Sequence, residues 1–232
     1  MPLYYGFDPT YFLVLIGVVL SLWASSRVNS TYAKYAKERS LSGMTGAQAA
    51  QRILSMAGIY DVTIQHVAGN LTDHYDPRNK TLNLSDTVYG SASVAAVGVA
   101  AHECGHAIQH DRGYAPLKMR SALAPVANIG ANISWPLILI GLLLGGSPLL
   151  IEIGILMFSL AVAFQLITLP VEFNASNRAM AMLEETGVLY TDELPKTRKV
   201  LNAAALTYVA AAASSILQLL RLVLLFGNRR KD

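Results

Sequence analysis

Four apolar stretches, the second of them short unless it begins near Val126, limit what the remainder of this chain can do. They run from Tyr11 to about Ser26, from Ile133 to about Leu144, from Leu149 to about Leu169, and from Ala203 to Phe226. Lipid offers the backbone no water to bond, so apolar segments of this length have to be helices. The first is followed at once by Arg27, Lys34, Lys37 and Arg39. A cleaved signal peptide carries its positive charge before the apolar run, so this segment reads as a retained anchor. Basic residues collect on the cytoplasmic side, which directs the N-terminus outward and Arg27 onward into the cytoplasm. The second and third stretches are separated by Gly145-Gly146-Ser147-Pro148 and read as a helical hairpin. The fourth contains Arg221 and is followed by Arg229-Arg230-Lys231. It either spans or lies in the interface with Arg221 snorkelling.

Composition supports the same reading. The chain is 53% hydrophobic and only 14% charged, against about 25% charged in a soluble domain. A net charge of +3 is too small to indicate a nucleic-acid partner, and juxtamembrane placement accounts for it. The single cysteine, Cys104, has no partner for an internal disulfide, which fits a reducing cytosolic face.

Residues 27–132 have the make-up of a soluble domain, with ten Lys/Arg and seven Asp/Glu. Thr45 is placed to cap a helix through Ala47–Ala57 that Gly58 stops. Val62–Val67 alternates like a strand, and Leu71–Tyr75 and Thr81–Ser85 flank a turn at Asp76–Lys80. A further helix begins at Asp86 or Ser91. The expected division is an anchor at 10–26, a cytosolic domain at 27–132, a hairpin at 133–169, a cytosolic helical segment at 170–202, and a transmembrane or interfacial helix at 203–226.

That second helix carries His102-Glu103-Cys104-Gly105-His106. On a helix, residues four apart lie about 6 Å along the axis and about 40° around it. Two imidazoles on one face can therefore share a metal ion, and Glu103, on another side, is free to hold a water. This is the metalloprotease pattern, with zinc keeping one position open for water. Cys104 lies about 200° around from His102 and reads as a small buried residue. Gly105 leaves room for a close neighbour.

Two His ligands need a third. His110 is excluded, because eight residues of helix rise about 12 Å. His66 and His74 lie in the strand region and read as surface or edge residues. Glu152 falls on the far side of the hairpin, and Glu184 and Glu185 lie in a polar, solvated stretch. Glu172, just after Pro170, returns to the cytoplasmic end of the hairpin and is the expected third ligand.

The order of anchor, small helix-and-strand domain, His102-Glu103-x-x-His106, hairpin and Glu172-Phe173-x-Ala175 resembles the YugP-type neutral membrane zinc metallopeptidases. More distantly it is similar to HtpX and the CAAX prenyl proteases. The resemblance covers nearly the whole chain. It implies a gluzincin: one zinc ion held by His102, His106 and Glu172. In the HtpX-like group the Glu begins a pattern E-[FY]-x-A-D whose Asp supports a ligand His. Here Ser176 stands at that position, leaving the role to Ser176 or Asn177.

The expected fold class is a mainly α membrane protein with three to four transmembrane helices plus a small α+β zincin-like (minigluzincin) catalytic domain. The expected function is that of a membrane zinc metalloendopeptidase acting on protein or peptide substrates at the cytoplasmic surface of the bilayer. Glu103 would be general base, and Tyr208 and Arg178 lie near segments that could stabilise an oxyanion. A site-2-type intramembrane protease and a non-catalytic zinc-containing scaffold are the competing readings.

Overall fold

The computed structural model describes residues 8–227. In chain order the elements are α1 (Tyr11–Tyr35), α2 (Gly46–Met56), β1 (Thr63–Val67), β2 (His74–Asp76), β3 (Thr81–Ser85), α3 (Val94–Asp111), α4 (Ala115–Leu143), α5 (Pro148–Glu185) and α6 (Leu194–Phe226). They divide into two compact units. One holds 8–24, 120–167 and 208–227; the other holds 25–119 and 168–207.

The first unit is built from the apolar parts of α1, α4, α5 and α6, and these four helices are each long and apolar enough to cross a membrane. Large side chains point outward: Leu22 is 66% exposed, Leu139 58% and Leu156 58%. Small residues lie where helices meet, as expected when lipid is as apolar as the packing partner. A Cβ on Gly154 would come within 2.9 Å of the Ser134 carbonyl, and one on Gly130 within 2.7 Å of the Met157 carbonyl, so α4 and α5 pack backbone to backbone. Ser214 of α6 donates to the Gly17 carbonyl of α1 at 2.9 Å. Arg221 does not reach out as a free cation. Its guanidinium donates to Asp8 and Thr10, each at 3.2 Å, and sits 4.2 Å from the centre of the Tyr11 ring. The start of α1 thus neutralises the charge that the sequence left unplaced in α6.

The second unit is α+β. Thr45 and Gln48 form a reciprocal cap that starts α2, and Gly58, at φ 77°, follows its end. The sheet order is β1-β3-β2, with β1 and β3 parallel and β2 antiparallel to β3. Strand β2 begins at His74 rather than Leu71 and takes in Asp76, the first residue of the expected turn. The Asp73 carboxylate accepts from the Ser85 backbone and hydroxyl at 2.7 and 2.9 Å, which takes the place of a ladder pair. Ile53 and Leu54 of α2, Leu82 and Leu84 of β3, and Leu183 of α5 are fully buried together with the alanines of α3. Each such Leu or Ile contributes about 1.5–3 kcal/mol relative to exposure.

Helix α3 is capped by Ser93, not by Asp86 or Ser91. The Ser91 hydroxyl accepts from the Ser93 N–H, and Asp86 is committed to His66 and Gly69, so neither is available as the cap. The two helices of the hairpin also run further than their apolar stretches. Gly113, at φ 64°, turns the chain straight from α3 into α4, which begins at Ala115. Helix α5 continues through Pro170 to Glu185. A proline removes one ladder bond, a loss that packing can absorb in a long helix. Glu172 is therefore carried by the last third of the hairpin's second helix rather than by a helix of its own.

Candidate metal centre

Helix α3 is made of small residues because two neighbours come very close. Gly105 has no room for a side chain: a Cβ there would stand 2.4 Å from the Ala175 carbonyl. Ala175 and Ser176 lie three and four residues beyond Glu172, so they share its face of α5. The Gly105–Ala175 contact thus sets Glu172 against the two histidines. Val171, Ala175 and Ala179 are fully buried on either side of it.

His102 Nε2 lies 3.3 Å from Glu172 Oε2 and His106 Nε2 lies 3.6 Å from the same oxygen. The two rings meet edge to face, 4.8 Å between centres. One ligand atom from each of the three residues falls within 4.8 Å of the others, and no other such group occurs among the described residues. Two ligands about 2.0–2.1 Å from a tetrahedral zinc stand about 3.4 Å apart, close to the two distances measured from Glu172 Oε2. The donor set, two imidazoles and a carboxylate, is one zinc accepts. The outer ring nitrogens are engaged elsewhere. His102 Nδ1 faces Ser176 Oγ at 3.1 Å, and His106 Nδ1 faces Gln109 Oε1 at 3.0 Å. Both Nε2 atoms are thereby turned to Glu172.

Charge at the site is held by contact rather than by water. Burial alone would depress the His106 pKa. Its hydrogen bond to Glu172 and the negative charges of Glu103 and Glu172 outweigh burial and hold it above the usual imidazole value. Glu103 is 8% exposed. Its carboxylate makes no hydrogen bond among the described residues, and its oxygens are not sealed from solvent.

The remaining candidates separate cleanly. Cys104 is buried with its thiol toward the Ala50 carbonyl at 3.7 Å, and burial, then the nearby Glu103 charge, pushes its pKa well up. His110 bonds Tyr75 through Nδ1 at 2.8 Å, His66 bonds Asp86 at 2.6 Å, and His74 bonds the Thr72 carbonyl at 2.9 Å. Glu184 and Glu185 are exposed. Asn177 is exposed too and bonds neither histidine, because one residue past Ser176 on a helix points about 100° away. Ser176 alone meets His102. Arg178 is tied to Asn174 at 2.8 Å. The sequence reading did not single out Gln109 or Asn174. The signal was present, since Gln109 lies three residues after His106, but one helix alone does not reveal what the other presents to it.

The sequence model of a family described as "Putative neutral zinc metallopeptidase" matches residues 10–227. The chain belongs to that family. It is 48% identical over 221 residues to a protein of Bacillus subtilis (strain 168) described as "Putative membrane protease YugP", a match covering 95% of this chain and 98% of that one. No solved structure matches. The chain is thus a multi-pass membrane protein of a zinc peptidase family, with zinc as its cofactor and a group of side chains that could hold it.

Proposed function

We propose that this protein is a zinc metalloendopeptidase that hydrolyses peptide bonds of protein substrates at the cytoplasmic surface of the membrane. His102, His106 and Glu172 hold the metal, and Glu103 is the general base. The observation that carries the reading is the combination of three converging ligand atoms with a neighbouring carboxylate, Glu103, that the protein's own groups do not hydrogen-bond among the described residues.

Zinc, when bound, supplies a Lewis acid that acidifies a water and polarises the scissile carbonyl. The rest of the chemistry belongs to side chains of this chain. Glu103 takes a proton from the attacking water as its oxygen bonds to the carbonyl carbon. The same carboxyl then gives that proton to the leaving amine as the C–N bond breaks. Ser176 holds the His102 ring by its outer nitrogen, which keeps the inner nitrogen aimed at the ligand position.

The cytoplasmic orientation is supported by the distribution of basic residues. Arg27, Lys34 and Lys37 follow the first apolar stretch, Lys118 and Arg120 precede the second, Arg178 follows the third, and Lys196, Arg198 and Lys199 precede the fourth. The turn at 145–147 has none.

The test uses the full chain in detergent with an unstructured protein such as casein as substrate. The expected result is cleavage that a chelator abolishes and that one equivalent of Zn2+ restores. Cleavage unaffected by complete metal removal would overturn the proposal. A reporter after residue 35 that is active only in the cytoplasm is expected to be active, and an inactive one would reverse the orientation.

A further inference from the structure

Gln109 lies outside the H-E-x-x-H pattern, yet it is completely buried and its amide is fully bonded. Its nitrogen donates to the Val171 carbonyl at 2.8 Å and to Asn174 Oδ1 at 3.0 Å. Its oxygen faces His106 Nδ1 at 3.0 Å. The direction of this chain is fixed from its far end. Arg178 Nε, 2.8 Å from Asn174 Oδ1, can only donate, so the Asn174 atom it meets must be the oxygen. That same oxygen faces Gln109, so Gln109 must present its NH2 group there. A flipped Gln109 amide would set its oxygen against two acceptors, Val171 O and Asn174 Oδ1. Hence the amide oxygen is what meets His106, and Nδ1 of that ring must carry a hydrogen. The lone pair of the neutral ring then belongs to Nε2, the nitrogen turned to Glu172.

We propose that Gln109 is a positioning residue for the metal, acting through His106 and anchored by Asn174 and Arg178. It selects the ring tautomer that can bind metal through Nε2. Through the carbonyl next to Glu172 it also holds the two ligand-bearing helices in register. The inference rests on the reading of His106 as a ligand.

The experiment strips metal from the full chain in detergent and titrates it with Zn2+ against a chromophoric chelator, and with Co2+ followed by visible absorption. Gln109→Leu is expected to weaken Zn2+ binding about 10–100-fold and to shift the Co2+ bands. Gln109→Glu keeps an acceptor at Nδ1 but sets its second oxygen against the Val171 and Asn174 oxygens, so it is expected to bind Zn2+ more tightly than Gln109→Leu and less tightly than wild type. Affinity and Co2+ spectrum unchanged in Gln109→Leu would overturn the inference. A second measurement needs no variant: in zinc-loaded protein with 15N-labelled histidine, His106 is expected to carry its proton on Nδ1 and the metal on Nε2. Metal on Nδ1 would overturn the proposal. His106→Ala separates the two levels of the argument. If it binds Zn2+ as tightly as wild type, the ligand assignment itself fails; if it does not, while Gln109→Leu matches wild type, only the positioning role fails.

Discussion

At the start of α1, Arg221 meets Asp8, Thr10 and the Tyr11 ring; at the contact of α3 with α5, His102, His106 and Glu172 meet one another. Both are polar clusters in a chain that is otherwise mostly apolar, and both are largely shielded. The difference lies in what each still lacks. In the first, a cation meets an anion and a hydroxyl, and the charges cancel within the protein. In the second, two imidazoles and a carboxylate bring one ligand atom each to a common point, and a fourth group, Glu103, has no hydrogen-bond partner among the described residues. The first cluster is complete and holds two helices together. The second offers a set of donor atoms that could hold a metal ion.

The contrast can be broken most forcefully at Glu172. Glu172→Ala is expected to weaken zinc binding by more than the roughly 10–100-fold typical of a ligand's supporting partner, and to abolish peptidase activity. Metal content by elemental analysis after dialysis checks it, and full retention of zinc would exclude Glu172 from the ligand set.

Close backbone packing provides the next comparison, because each unit has a glycine with no room for a methyl group. A Cβ on Gly105 would stand 2.4 Å from the Ala175 carbonyl, and one on Gly154 2.5 Å from Ile138. Each substitution to Ala is expected to destabilise by about 1–3 kcal/mol through overpacking, read as a lowered Tm in detergent. Only Gly105→Ala should also lower zinc affinity, since it displaces the face that carries Glu172. Equal loss of zinc in Gly154→Ala would show that the distinction between the clusters is drawn in the wrong place.

The smallest effect is expected at the closed cluster. Asp8→Asn should lower the Tm by less than either glycine variant and leave zinc affinity unchanged, and adding Arg221→Gln should recover part of the loss. A fall in zinc affinity would contradict its purely structural role.

Much of this was legible in the residues before any coordinates, for identifiable reasons. Two histidines four residues apart on one helix share a face, so His102 and His106 announce themselves as a candidate pair. The rise per residue removes His110. Glu172 was legible as a candidate because a hairpin is expected to return the chain to the side it left. The cap at Thr45 and the stop at Gly58 are local chemistry, written within a few residues. What was not legible depends on two elements meeting. Gln109 reads as one more polar residue until Val171 and Asn174 are set opposite it. Asn177 and Ser176 are equivalent in sequence, and only the 100° between them decides which reaches His102. The extent of α4 and α5 was hidden because Lys118, Arg120 and Pro170 interrupt the apolar pattern without interrupting the helix.

Glu103 is proposed to perform chemistry at a metal held by other residues. The direct measurement is a paired determination of zinc content and peptide cleavage for wild type and Glu103→Gln. One zinc per chain is expected in both proteins, with cleavage by the variant lower by about 10²–10⁴-fold, the range a general acid–base contributes. Cleavage at the wild-type rate by a zinc-loaded Glu103→Gln protein would contradict that role.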